Sequence, residues 1–180
     1  MIRFRVAFIL FAGLTFAVAA SFAQECATGT DLDAATKSAV EQAAQQYAQA
    51  AIQGNVQALQ QNSVGSLATD ISPVQTALAN FKADLTGARA STRAIYLLNY
   101  AGQGRPEFYC GIYNSPDRIG LLINGLTPGK WAVAIEDVSG GKAPITIGEI
   151  LQQQGAGWKM AGFILRATEI GGHPSDWFLQ

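Results

Sequence analysis

The chain has 180 residues, 49% hydrophobic and 14% charged, with 12 basic and 13 acidic side chains nearly cancelling. That balance excludes a disordered tail and a basic nucleic-acid binder, and the length fits one domain with a real core. One histidine and two cysteines are too few for an ordinary zinc site. No phosphate loop, complete dinucleotide glycine fingerprint or GxSxG elbow occurs, so the sequence names no metal site and no cofactor.

At the start, Arg3 and Arg5 precede an uncharged run from Val6 to Ala20 and then Ser21-Phe22-Ala23. This pattern predicts a secretory signal peptide over residues 1–23, cut before Gln24, with no membrane span left after processing. An uncleaved N-terminal anchor is the alternative. Losing Arg3 and Arg5 takes the 12 basic side chains to 10 against 13 acidic, a formal charge of −3. The expected location is periplasmic or secreted. In such an oxidising compartment a structural disulfide persists, and we expect a Cys26–Cys110 bond. The other pairing left open is a buried Cys110 thiol with Cys26 bonded between molecules.

Residues 24–180 read as a single domain, with truncation at its C-terminus the open alternative. From Leu32 to Ile52 the apolar positions Val40, Ala43, Ala44, Tyr47, Ala48 and Ala51 recur at helical spacing, and Gly54 lies just beyond. Asn55 caps a predicted second helix with Val56 and Leu59 inward. A third runs from Pro73 through Val74, Leu78, Phe81 and Leu85, with Ser63 to Ser72 as a loop between them.

After Gly87 the pattern becomes short runs rich in Ile, Val, Tyr, Phe and Trp. Strands are predicted at 93–100, 107–114, 119–126, 131–138, 143–153 and 158–166. The intervening turns, such as Gly102-Gln103-Gly104 and Ser139-Gly140-Gly141, are too short for crossover helices, so neighbours should pair antiparallel. The strand at 107–114 is apolar on both faces and is expected to be central. The predicted class is α+β: N-terminal helices packed on a curved, mostly antiparallel six-stranded sheet.

A long opening helix, a break at Gly54-Asn55, a third helix and then long antiparallel strands resemble the nuclear transport factor two-like (cystatin-like cone) superfamily over roughly residues 31–166. The last third, from Gly157-Trp158-Lys159 to Gly172-His173-Pro174, is similar to uncharacterised secreted proteins of soil bacteria. The first resemblance implies a cavity between a curled sheet and the long helix. Its members include hydratases, isomerases and non-catalytic binders, so fold does not select a function.

Strand alternation sets Tyr96, Leu98 and Tyr100 on one face, Trp131, Val133, Ile135 and Asp137 on another, and Ile145, Ile147, Glu149 and Leu151 on a third. Glu149 and Asp137 are therefore the candidate catalytic carboxylates, because burial in an apolar cone raises a carboxyl toward working pH as the resemblance implies for family isomerases. Against this, Asp137 precedes a turn and Gly148 invites a bulge that would turn Glu149 outward. Tyr96, Tyr100 and Trp131 are candidate ligand-binding residues, or ordinary sheet-core aromatics. His173 either pairs with Asp176 or sits before a helix starting at Pro174. The foremost reading is a non-catalytic module binding an apolar small molecule or an envelope protein. An isomerase- or dehydratase-type enzyme and a structural interaction domain, including a homodimer, are the alternatives.

Overall fold

The helical stripe predicted from Leu32 forms α1 (Ala34–Ile52), whose buried residues are Val40, Ala44, Tyr47, Ala48 and Ala51. The structure is a computed structural model and describes residues 25–111, 118–170 and 173–174. The expected leader (1–23), the end of the strand predicted at 107–114 with the turn after it, Asp176 and the side chain of His173 lie outside the described residues. Asp33 caps α1, its Oδ1 accepting from the Thr36 N–H at 2.8 Å. Gly54 stops it in the left-handed region, at φ +67°, where a side chain would be strained.

Asn55 caps α2 (Val56–Gln61) by accepting from the Ala58 N–H at 3.0 Å. The expected loop 63–72 holds a one-turn helix, α3 (Ser66–Thr69). The run from Pro73 is divided at Phe81 into α4 (Ser72–Asn80) and α5 (Lys82–Leu85). No helix among the described residues is long and apolar enough to cross a membrane.

The class is α+β, but the six-stranded sheet is corrected. The main sheet has five strands, all antiparallel, in the order β1 (Glu25–Thr28), β2 (Arg89–Tyr100), β5 (Gly129–Ser139), β6 (Ile145–Gln154) and β7 (Gly157–Ala167). The strand expected at its centre is β3 (Glu107–Cys110), which pairs with β4 (Ile119–Leu122) as a separate ribbon. The long β2 and β5 pair along almost their whole length, with Leu98 opposite Trp131, and this ladder leaves no room between them for a four-residue strand. A further two-residue pair joins β8 (Glu169–Ile170) to β9 (His173–Pro174), so Pro174 lies in a strand and does not begin a helix.

The sheet carries apolar residues on both faces. On the inner face α1 covers Ile95, Ala132, Ala134, Val138, Ile147 and Leu151. On the outer face Leu98, Tyr100, Trp131 and Val133 pack under Phe108 and Cys110 of the ribbon. The Cys26–Cys110 disulfide fastens that ribbon to the edge strand β1. The result is three layers: helices, a five-stranded sheet and a short β-ribbon.

Candidate functional site

Cross-strand register builds the inner face as rows, since residues directly opposite in an antiparallel ladder point the same way. One row runs Ile95, Ala134, Glu149, Phe163; the next runs Thr92, Glu136, Ile147, Leu165. Thr92 reaches this face only because the β2–β5 register shifts by one residue between Thr92 and Ala94. Two carboxyl groups, those of Glu136 and Glu149, are thereby brought beneath α1, and both residues are fully buried.

Their surroundings differ. Glu136 Oε1 accepts from the Thr92 hydroxyl at 2.9 Å, and the Gln45 amide reaches the same hydroxyl at 3.4 Å. Glu136 Oε2 and both oxygens of Glu149 have no hydrogen-bond partner. Burial pushes the Glu149 carboxyl well above the ordinary carboxylate value of 4.5, with the neighbouring Glu136 charge acting the same way. Burial also raises Glu136; the Thr92 hydrogen bond opposes it, and the charges of Glu41 and Asp137 add to it. From α1, the Tyr47 hydroxyl donates to the Trp158 carbonyl at 2.7 Å, and burial and the Glu149 charge raise its own ionisation.

Glu149 thus points inward, and the outward turn at Gly148 does not occur: the register shift in β6–β7 falls between Ile150 and Leu151 and is absorbed at Ala161 of β7. Asp137 takes the opposite face and forms a half-exposed ion pair with Arg93 at 3.1 Å. Glu136 is the carboxylate missed by sequence. Both faces of β5 are buried, so alternation alone does not say which of them meets the helices. The signal available was size: Ala132 and Ala134 leave room for α1, itself rich in alanine at Ala44, Ala48 and Ala51, to approach closely.

Tyr96, Tyr100 and Trp131 are not beside Glu149. They lie on the outer face under the ribbon, where the Tyr100 hydroxyl donates to the Gly104 carbonyl at 3.0 Å and Trp131 Nε1 donates to the Thr127 carbonyl at 2.9 Å. The proposed carboxylates and aromatics therefore do not form one site.

The ribbon covers the outer face incompletely. Beside it a groove of about 460 Å³ runs between β4 and the outer side of β5–β7, lined by Leu121, Leu122, Val133, Gly148, Ile150 and Ile164. Its floor is open because Gly148 sits in the row Ala94, Ile135, Gly148, Ile164 with no side chain of its own. Leu122 and Ile164, both in its lining, are 45% and 55% exposed, so two large apolar side chains in one cleft are left open to solvent. Set against protein-family models, curated proteins and solved structures, the chain matches none.

Proposed function

We propose that the protein is an extracytoplasmic, non-catalytic module that binds an apolar small molecule in the groove between the ribbon and the outer sheet face. The observation that carries this reading is the groove itself: its volume of about 460 Å³ lies in the range of ligand sites, and its lining is mostly aliphatic, with Asn124 and Glu149, whose carboxyl points to the inner face, besides. A cleft of similar size, about 420 Å³ at the C-terminal end of α1, is lined by Gln53, Gln75 and Lys82 as well as apolar groups and presents no large exposed aliphatic pair. The disulfide supports the extracytoplasmic part, because such bonds persist where the surroundings oxidise. A cone-type superfamily fold with helices over an antiparallel sheet is compatible with such a role and is proposed with it.

The test uses the neutral fluorophore N-phenyl-1-naphthylamine. A Cβ at Gly148 would meet only Ile164 Cβ, at an ordinary 3.7 Å, so Gly148→Val grows a side chain from the floor into the groove. The intact protein should bind the probe with an emission increase, and Gly148→Val should weaken binding about tenfold or more while leaving the thermal midpoint unchanged or higher. Equal binding by both proteins, or none by the intact one, overturns the proposal.

A second reading, an isomerase- or dehydratase-type enzyme with Glu149 as base, has the buried carboxyl pair in its favour. It requires a substrate to displace the side chains packed beneath α1. Glu149→Gln separates the readings: an enzyme loses proton transfer, whereas probe binding on the opposite face persists.

A further inference from the structure

Three buried carboxylate oxygens without partners demand an explanation, since an isolated ionised carboxylate in an apolar interior is strongly unfavourable. Among the described residues, no cation acts on either carboxyl. From α1 come Tyr47 and Glu41, from β2 Thr92, and from β7 the opposing partners are Phe163 and Leu165. The remaining charge acting on Glu136 is that of Asp137, which is also negative and is paired with Arg93 on the other face. Glu136 and Glu149 occupy adjacent rows of the sheet and repel one another when both are ionised. The stable arrangement is a pair that holds at least one proton, with Glu149, which has neither a hydrogen bond nor an exposed edge, as its neutral member.

Ionisation of Glu149 would place an uncompensated charge under the apolar stripe of α1, between Tyr47 and the sheet. Strand β6 is locked by ladders on both sides, to β5 and to β7, so relief comes from the helix side. We propose that Glu136 and Glu149 are a proton-binding pair whose ionisation loosens α1 from the sheet, making the helix layer a device that opens as pH rises. This goes beyond the binding role proposed for the outer face and stands or falls separately from it.

The experiment is hydrogen exchange of the intact, oxidised protein from about pH 5 to about pH 9, corrected for intrinsic exchange. Protection of the α1 amides should fall with rising pH, with an opening constant growing by up to about tenfold per pH unit within the titration window. The β3–β4 amides, on the other face, should not follow. In Glu149→Gln the α1 profile should be much flatter, with Glu136 alone contributing, and Glu149→Leu serves the same purpose should the amide variant fold poorly. Glu136→Gln, which removes the like charge, should make the fall smaller and end it at lower pH without abolishing it. A flat α1 profile in the native protein, or the same fall in the native protein and in the Glu149 variant, overturns the proposal.

Discussion

At the scale of single residues, the structure turns on where side chains are absent as much as where they are present. Gly141, in the turn between β5 and β6, lies against α5: a Cβ there would overlap the Asp84 carbonyl oxygen and carbon. Those are backbone atoms and do not rotate away, so Gly141→Ala must push the turn off the helix, where Lys142 N–H now donates to the Ala83 carbonyl at 3.2 Å. We expect a loss of about 1–3 kcal/mol, read by chemical denaturation, whereas Gly148→Ala should be close to neutral. Equal effects would show that the turn yields at little cost. Neither glycine's role is legible in sequence, because both read as generic strand or turn glycines until a partner from a distant segment is known.

Among the elements, α1 is the most legible because it declares itself two ways, by an apolar stripe at helical spacing and the stopping Gly54; its Asp33 cap is seen only in the structure. The short pieces are not. β1 and α3 each have four residues, too few to show a period, and β3 reads as central because its sequence is apolar on both faces, although Phe108 is fully buried and Tyr109 is 56% exposed under the cation of Arg118. What fixes α1 in place is likewise a long-range contact. The Tyr47 hydroxyl ties it to the Trp158 carbonyl at the start of β7, and Met160 exchanges hydrogen bonds with Asn62 and Val64 beside it. Tyr47→Phe keeps the ring's packing and leaves that carbonyl without its donor. The expected cost is about 1–2 kcal/mol in denaturant midpoint, with faster exchange confined to the C-terminal half of α1. An unchanged midpoint would mean that water replaces the hydroxyl freely.

For the molecule as a whole, α+β was legible from the change of period after Gly87, whereas the layering was not, because a strand buried on both faces gives no sign of which layer lies on which side. That is why Glu149 and the aromatics read as one cone in the sequence yet occupy opposite faces, with Asp137 on the aromatic side. The two cores also differ in what holds them. The helix layer is continuous with long ladders, while the ribbon adds a small core joined to the sheet by the Cys26–Cys110 bond across 84 residues of chain. Removing that bond with the Cys26→Ser, Cys110→Ser pair frees a loop of this length in the unfolded state, and the chain-entropy model sets the loss at about 4–5 kcal/mol. The ribbon's four-residue strands have little else to retain them, so the loss should not be uniform. Exchange should quicken first at Phe108 and Leu121, with Trp131 fluorescence shifting to the red as its cover lifts, while the β5–β6 amides stay protected until global unfolding. If protection falls equally on both faces, the ribbon and the helix layer form one cooperative unit, and the disulfide acts on the unfolded chain alone.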